Sequence, residues 1–410
     1  MSAAVTTGDQ VELDVGPVAH GGHCVARLDG RVVFVRHALP GERVLATITE
    51  GGPDARFLRA DAVEVRVASP DRVEPPCPYA GPGLCGGCDW QHATVDAQRR
   101  LKAEVIMEQL HRLGGIDREV VVQPLPGDDD GLGWRTRLQL AVGPDHRPGL
   151  RRHRSHEVIP IDRCLIAHPA VDETGVLRRR WRGRTTVEVI IGAEGPPLVL
   201  ADGQTESGRT GRRAGVTEVA IGRRWRVSGS GFWQVHPAAA DTLVAAVLRM
   251  LGPQRGEHAL DLYSGVGLFS AALALELGDS GSVVAVESGL DAVGDARRNL
   301  HDLPTVRLVE AQVEQWLRRP GLSRADVVVL DPPRSGARRR VATDVAALRP
   351  RAIAYVACDP AALARDLAYF RDEGYQLADL EAYDLFPMTH HVECVALLVR
   401  AQPAAATARR

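Results

Sequence analysis

A regular alternation of strands and helices from residue 231 onward constrains the fold of this chain more than any other feature. The strand predicted at His258–Leu262 runs into a glycine turn, and the next helix is expected to begin there. Further apolar, β-branched strands follow in order: Val283–Val286, Val306–Val309, Val327–Leu330, Ile353–Val356 and Val392–Val399. This order predicts a doubly wound, largely parallel α/β sheet, with the last two segments forming an antiparallel edge hairpin.

The turn after the first of these strands carries residues suited to an adenosine-bearing cofactor. Tyr263 and Gly265 lie in the turn, Asp261 precedes it, and Glu287 ends the second strand. Glycines let the backbone approach a ligand closely, and an acid at the end of the second strand can accept hydrogen bonds from ribose hydroxyls. The third glycine of the dinucleotide fingerprint is missing, which disfavours a nicotinamide cofactor. A core strand followed by a tight turn is the alternative.

A later strand, Ile353–Val356, leads to a candidate nucleophile. It is followed by Cys358, and Pro360 stops the extended segment. In an open α/β sheet, ligands bind beyond the carboxyl ends of the strands, so this thiol is expected where chemistry happens. The alternative is a small buried hydrophobic residue, which is the usual state of a free cysteine.

The first part of the chain, residues 9–67, is dense in short alternating strands. These are Val11–Val15, Cys24–Leu28, Val32–Val35, Val44–Ile48 and Ala60–Val67. Turn signals such as Gly21-Gly22 and Asp29-Gly30 separate them. Short strands joined by tight turns predict a small barrel of the OB type. Such a barrel could bind RNA or serve as a structural spacer.

Four cysteines have a spacing that suits a metal centre. Cys77, Cys85 and Cys88 lie in one loop, and Cys164 follows farther along the chain. The C-x-x-C pair lets neighbouring thiolates reach one metal, and four thiolates fit either tetrahedral zinc or a [4Fe–4S] cluster. The spacing does not choose between the two, and unliganded thiols are a further alternative.

Charge and composition bear on partners and location. The net charge is −2, yet arginines cluster at residues 147–154, 178–184, 209–213 and 334–340. Such clusters are usually solvated faces, but they also suit a phosphate-binding surface. Seven cysteines, an odd number without a secretory signal, favour reduced thiols. No apolar stretch of about 20 residues is present, so we expect no membrane partner. We also expect a cytoplasmic protein and a monomer.

Several segments, in chain order, resemble the family of RNA uracil-5 methyltransferases. They are Phe232–His236, Asp261–Ser270, Asp331–Arg334, Cys358–Pro360 and Phe386–Glu393. Residues 9–67 resemble the TRAM domain, an RNA-binding barrel. The cysteine-rich branch of the family methylates 23S ribosomal RNA and carries a [4Fe–4S] cluster.

The resemblance covers the whole chain and implies three domains. A TRAM-like barrel is expected at residues 1–67, and an α+β middle domain with the iron–sulfur cysteine loop at 68–228. A class I methyltransferase domain that uses S-adenosylmethionine (SAM) is expected at 229–410.

Residue roles carry over from the family position by position. Cys358 corresponds to the nucleophile and Glu393 to the general base. The donor-binding positions are Gln234, Tyr263, Gly265, Glu287, Gln312 and Asp331. The cluster ligands implied by the resemblance are Cys77, Cys85, Cys88 and Cys164. The chain departs from the family at Asp359, where Asn commonly follows the nucleophile, and at Leu268, where a polar residue commonly touches SAM.

The implied reaction forms 5-methyluridine. A thiolate adds to carbon 6 of uracil, carbon 5 takes the methyl group of SAM, and a base removes the carbon-5 proton so that the cysteine can leave. The uridine must be unpaired or flipped out. Asp359 beside the thiol would disfavour its ionisation, so another group must assist. We expect 23S ribosomal RNA as the substrate. The same chemistry on transfer RNA, an iron–sulfur redox protein and a non-catalytic RNA-binding protein stay open.

Overall fold

The computed structural model describes residues 5–322 and 324–401. Its first five strands are β1 (Gln10–Ala19), β2 (His23–Leu28), β3 (Arg31–Arg36), β4 (Arg43–Glu50) and β5 (Phe57–Val67). They close into a barrel in the order β1-β2-β3-β5-β4. Alternate residues face the interior, where Val33, Val35 and Val44 are fully buried. The barrel predicted from the strand pattern is therefore confirmed.

A second group of elements follows the barrel. It consists of helix α1 (Val95–Gln109), a π-helical turn (Leu110–Gly114), β6 (Val122–Gln123), β7 (Arg137–Val142), β8 (Pro148–Arg151), β9 (Val158–Pro160), α2 (Ala170–Glu173), β10 (Thr186–Ile190), β11 (Leu198–Ala201), β12 (Gly215–Ala220) and β13 (Arg223–Ser228). Five of these strands form a sheet in the order β11-β10-β7-β8-β9, and β12 pairs with β13.

The last part of the chain alternates helices and strands. Its elements are α3 (Ala239–Leu251), β14 (His258–Leu262), α4 (Leu268–Leu277), β15 (Ser282–Glu287), α5 (Leu290–Asn299), β16 (Val306–Glu310), α6 (Val313–Trp316), β17 (Val327–Leu330), α7 (Arg338–Ala347), β18 (Ala352–Ala357), α8 (Pro360–Asp372), β19 (Tyr375–Tyr383) and β20 (Glu393–Arg400). They build one sheet in the order β16-β15-β14-β17-β18-β20-β19-β6. The five strands from β16 to β18 run parallel, which confirms the doubly wound fold.

The antiparallel hairpin at the end of the chain differs from its prediction in one respect. The two strands expected to form it correspond to β18 and β20, which pair antiparallel as predicted. They do not lie at the edge, because β19, a strand not predicted from the sequence, pairs with the other side of β20, and β6 pairs in parallel with β19. A two-residue strand in the middle of a sequence offers no periodicity from which this pairing could be predicted.

Helix α1 lies between the barrel and the eight-stranded sheet, called below the catalytic sheet. Leu101 and Val105 pack in the core of the barrel, whereas Ala103 and Ile106 pack against the sheet. The helix therefore joins the two cores. Among the residues described, no helix has the length and apolar character needed to cross a membrane.

Candidate active site

Cys358 and Glu393 meet at the edge of the sheet where the parallel strands end. Cys358 directly follows β18 and Glu393 opens β20, and these strands pair with Ala357 opposite Cys394. Cys358 and Glu393 are the residues next to this last pair, and the charge of Glu393 acts on the Cys358 thiol. The thiol is partly buried, and the glutamate is only 4% exposed. The sheet thus brings the two predicted catalytic residues together.

The charges around this pair favour its neutral forms. Burial and then the charge of Glu393 raise the pKa of Cys358 to about 12, with Asp331 adding to the rise and Arg334 opposing it. Burial and then Asp331 raise the pKa of Glu393 well above its usual range, and Arg334 again opposes. At neutral pH Cys358 is therefore a thiol, and burial favours the protonated form of the Glu393 carboxyl. A thiolate and a carboxylate are favoured once positive charge is brought near.

Further carboxyl groups lie at the same edge. Asp261 is in β14, Glu287 ends β15, and Asp331 directly follows β17. Burial, followed by the charges of Asp261 and Glu287, raises the pKa of Asp331 to about 7. Burial also raises the pKa of Asp261 to about 7, against hydrogen bonds from Ser270. Closely spaced, buried carboxyl groups suit a ligand that carries positive charge and hydroxyl groups.

Glu287 connects the glycine turn to the next strand. Its Oε2 accepts a hydrogen bond from the backbone N of Gly265 at 3.0 Å. Its Oε1 accepts from the backbone N of Ser288 at 2.7 Å and of Gly289 at 2.6 Å. A carboxylate can accept about four hydrogen bonds, so Glu287 retains capacity for a ligand hydroxyl.

The glycine turn itself has a constrained backbone. Tyr263 adopts a φ of +65° and Gly267 a φ of +96°. The backbone N of Tyr263 donates to Val286 O at 3.0 Å, and its hydroxyl donates to Glu314 at 3.4 Å. A Cβ at position 267 would lie 2.7 Å from Leu300 Cδ1, so glycine is required there. The turn is therefore held against the end of β15.

Gln234 and Gln312 lie on segments that flank this cluster. Gln312 precedes α6, and the backbone N of its neighbour Ala311 donates to Glu287 O at 2.9 Å. Gln234 lies in the segment before α3, where Val235 packs with the loop that leads into β20. Gln312 is exposed and Gln234 is half-buried, so both side chains are accessible to a ligand.

The loop before β20 is fixed by residues that follow the cysteine loop. The backbone N atoms of Asp89 and Trp90 donate to Met388 O at 2.9 and 3.1 Å. Asp89 Oδ2 also lies 2.6 Å from His390 Nδ1. Burial disfavours the Asp89 carboxylate, but hydrogen bonds from His390 hold its pKa below the usual range. Sequence reasoning missed Asp89, since the C-x-x-C pattern marks its segment but gives no sign of its distant partner.

The barrel also contacts the edge of the sheet that carries Cys358 and Glu393, here called the catalytic edge. His20, in the turn between β1 and β2, has its Nε2 3.0 Å from Asp359 Oδ2. Asp359 directly follows Cys358 and precedes α8, where its side chain accepts from the backbone N of Ala362 at 2.8 Å. Sequence reasoning missed His20, because only the adjacent Gly21-Gly22 turn was recognisable.

The four predicted cluster ligands lie in one neighbourhood. Burial is the main cause of the raised pKa of Cys85, Cys88 and Cys164, and charges of other cysteines in the set, including Cys77, add to it. Gln91 Nε2 donates to Cys88 Sγ at 3.2 Å. Four thiols supply the number and type of donor atoms that a [4Fe–4S] cluster or zinc requires. Their arrangement is not that of a formed metal site, because within the described parts of the chain no three His, Cys, Asp or Glu side chains are arranged to hold a metal ion.

A cationic groove lies between the barrel and the β8–β9 hairpin. Its wall includes His23, Phe34, Arg36, Arg59, His153 and Arg154, together with two acids, Glu50 and Asp61. The guanidinium of Arg59 lies 5.4 Å from the ring centre of Phe34 and 5.3 Å from that of Phe57. A neighbouring hollow shares most of these residues and extends to His20. The groove therefore leads from the hairpin towards the catalytic edge.

Comparisons with known proteins match this arrangement. A sequence model of the TRAM domain matches residues 4–63, and one described as tRNA (Uracil-5-)-methyltransferase matches residues 321–401. A Streptomyces avermitilis protein described as an RNA methyltransferase is 54% identical, over 97% of this chain and 99% of its own length. A Bifidobacterium longum protein with the same description is 37% identical, over 95% of this chain and 97% of its own. The chain belongs to a family of RNA methyltransferases.

This RNA methyltransferase shares its fold with a solved structure. The crystal structure of Pyrococcus abyssi tRNA (uracil-54, C5)-methyltransferase in complex with S-adenosyl-L-homocysteine superposes with a TM-score of 0.71. The match covers 94% of this chain and 99% of that one, at 23% identity. The predicted TRAM barrel and methyltransferase fold are confirmed, and the predicted family is confirmed as one of RNA methyltransferases.

Proposed function

We propose that this methyltransferase forms 5-methyluridine in RNA through a covalent bond between Cys358 and carbon 6 of the target uracil. The observation that carries the proposal is the proximity of Cys358, directly after β18, to Glu393, the first residue of β20. A nucleophile that must add and later leave needs a base beside it that can reach the same ring.

The reaction divides between these two residues. The Cys358 thiolate forms a bond to carbon 6, which places an enolate on the uracil and makes carbon 5 nucleophilic. SAM, when bound, supplies the methyl group and a positive sulfonium charge. The Glu393 carboxylate then takes the carbon-5 proton, the double bond re-forms, and the cysteine leaves as a thiolate. The high pKa values of the free enzyme suit a site that becomes active only when its ligands are bound.

The acidic edge next to this pair would hold the methyl donor. Glu287, which binds the backbone of Gly265, would accept from ribose hydroxyls, and the backbone of Tyr263 and Gly265 would allow a close approach. Asp331 would favour the positive charge of the donor, which would in turn favour its own ionised form. Gln234 and Gln312, on the flanking segments, would complete the group of donor-binding residues.

The RNA strand lies along the cationic groove. Arginines neutralise phosphates, and exposed rings can stack on unpaired bases. The guanidinium of Arg59 lies over the rings of Phe34 and Phe57, so this position offers both a positive charge and aromatic rings. The target uridine is unpaired or flipped out, since both faces of its ring must be reached.

Cys77, Cys85, Cys88 and Cys164 are the residues that would hold a [4Fe–4S] cluster through their thiolates. Such a cluster would be structural, because the reaction includes no redox step. It would tie the cysteine loop to the segment of Cys164. The enzyme acts as a monomer in the cytoplasm, where reduced thiols and RNA are both present.

The substrate is 23S ribosomal RNA, in keeping with the cysteine set. Transfer RNA is the second candidate, because the matching family model is described as a tRNA methyltransferase. Mass spectrometric mapping of 5-methyluridine in both RNA classes, from cells with and without the gene, tests the choice. Loss of one 5-methyluridine from 23S ribosomal RNA is expected, and loss confined to transfer RNA would overturn this assignment.

A further inference from the structure

The barrel reaches the residue next to the candidate nucleophile. His20 Nε2 lies 3.0 Å from Asp359 Oδ2, and Asp359 directly follows Cys358 in the chain. The second carboxylate oxygen, Oδ1, accepts from the backbone N of Ala362 at the start of α8. Asp359 is thus fixed by the helix on one side and by the barrel on the other.

The turn that carries His20 is held in place by contacts of its own. Gly22 O accepts a hydrogen bond from Trp90 Nε1 at 3.1 Å. Gly22 has a φ of +80°, and a Cβ there would lie 2.7 Å from the Cβ of His390. The turn therefore packs directly on the loop before β20. The position of His20 follows from this packing and does not depend on its own ion pair.

The charges that face Cys358 mostly disfavour its thiolate, so another group must stabilise it. Glu393, Asp331 and Asp359 each disfavour ionisation of the thiol, and Arg334 favours it. Asp359 is the carboxylate fixed on the adjacent residue. A positive charge paired with Asp359 would cancel part of this effect.

The charges that face His20 favour its protonated form. The hydrogen bond to Asp359 is the largest influence, and Glu108 of α1 acts in the same direction. Partial burial and Arg112 of the π-helical turn act against it. The balance raises the pKa of His20 above its usual value, so the ring keeps its proton to a higher pH than a free imidazole does.

We propose that His20 is a positioning residue whose protonated ring offsets the charge of Asp359 and so favours the thiolate of Cys358. This inference rests on the proposed role of Cys358 as the nucleophile. It supplies the assisting group that Asp359 makes necessary. It also makes activation of the thiol depend on the barrel being seated against the catalytic edge.

The test is the pH dependence of Cys358 labelling by methyl methanethiosulfonate. The full-length protein is labelled without RNA or SAM, and the peptide that contains Cys358 is quantified by mass spectrometry. For an isolated thiol below its pKa, the labelling rate rises tenfold per pH unit. In the wild type, we expect the labelling rate to rise less steeply with pH over the range in which His20 loses its proton, so that the curve flattens there.

His20→Gln keeps a hydrogen-bond donor but removes the charge. Below the flattened range, we expect this variant to be labelled about three- to tenfold more slowly than the wild type, and to show no flattening. Above that range the two rates should coincide. Asp359→Asn should also remove the flattening and be labelled faster than the wild type on the alkaline side. Adding His20→Gln to Asp359→Asn should change nothing further.

A matched control is His111→Gln, because His111 pairs with Asp117 at 2.7 Å on the exposed surface. Its labelling curve should superimpose on that of the wild type. A His20→Gln curve identical to the wild type would overturn the proposal. So would an equal slowing in the Asp359→Asn background, since the effect would then not pass through Asp359. Failure of Cys358 as the nucleophile would be seen separately, as methyl transfer retained by Cys358→Ala.

Discussion

Cys358 directly follows β18 and Glu393 opens β20, so the two residues lie next to the last pair of this antiparallel ladder, Ala357 and Cys394. The arrangement arises because β20 inserts between β18 and β19, so that its first residue lies at the same edge as the last residues of the parallel strands. Glu393 is held within the sheet, and Cys358 lies one residue beyond it. Side chains placed on or directly after strands are positioned more precisely than side chains on long loops.

Replacing Glu393 by Gln should separate the first steps of the reaction from the last. Thiolate addition and methylation do not need the carboxylate, whereas release does, so a methylated protein–RNA adduct should accumulate on natural RNA. Turnover should fall by roughly 10²–10⁴-fold. Denaturing gel electrophoresis with SAM labelled in its methyl group would show a labelled band at the size of protein plus RNA.

A control for this variant is Glu381→Gln on the neighbouring strand β19, where the carboxylate pairs with Arg249. It should retain turnover and accumulate no adduct. If Glu393→Gln released free methylated RNA at the wild-type rate, Glu393 would not be the base. His391 would then be the next candidate, since burial lowers its pKa to about 3 and keeps its ring neutral.

The stability of the ligand-free protein should decrease as the pH rises towards neutrality. Asp261 and Asp331 have a pKa of about 7 in the folded state, against about 3.9 in an unfolded chain. Because both values are raised, their contribution to stability is fully present below about pH 4 and is lost as the pH rises through about 7. Thermal unfolding should show a melting temperature that falls by a few degrees over this range.

Asp331→Asn should flatten that dependence, because the amide does not ionise. Asp14→Asn is the control, since Asp14 is an exposed barrel residue paired with Arg43. SAM should also reduce the pH dependence by favouring the ionised carboxylates. Equal pH slopes for Asp331→Asn and the wild type would contradict the charge distribution described for this edge.

The cysteine set makes a prediction about metal content. Protein purified without oxygen should be brown and contain about four irons per chain. Cys88→Ser should lose most of the iron and unfold at a lower temperature, while Cys358→Ala should keep both properties, because Cys358 lies outside the set. Colourless protein with one zinc per chain would show that the same thiolates hold a structural zinc instead.

A substitution in the cationic groove should weaken RNA binding and leave SAM binding unchanged. Arg59→Ala removes a guanidinium that lies over two aromatic rings, so we expect the KM for RNA to rise about tenfold. The affinity for SAM should not change, and the dependence of RNA binding on salt should weaken. Arg43→Ala, at an exposed barrel position outside the groove, should behave as the wild type. An unchanged KM for Arg59→Ala would exclude the groove as the path of the RNA.

Local patterns in the sequence were sufficient to predict the barrel and the parallel sheet. The strands of the barrel alternate with a period of two, and the strand–glycine turn–helix unit at residues 258–270 has a strong signature. The role of Glu393 came from resemblance, because on its own it looks like a surface charge at a strand start. Its true environment depends on the insertion of β20, which periodicity does not encode.

Contacts between separate parts of the fold could not be predicted in the same way. The partner of His20 is 339 positions away, and that of Asp89 is 301 positions away. Both contacts require the barrel and the cysteine loop to dock on the catalytic sheet first. Helix α1 shows the same limit, since its apolar residues are recognisable but their division between two cores is not.

The covalent role of Cys358 is tested most directly with RNA that contains 5-fluorouridine. Carbon 5 of this base has no removable proton, so the reaction should stop after methylation with the cysteine still attached. Wild-type protein with SAM should form an adduct that survives denaturation. Cys358→Ala should form none, although it should bind SAM as the wild type does. An adduct of equal yield with Cys358→Ala, or methyl transfer to natural RNA by that variant, would contradict the mechanism.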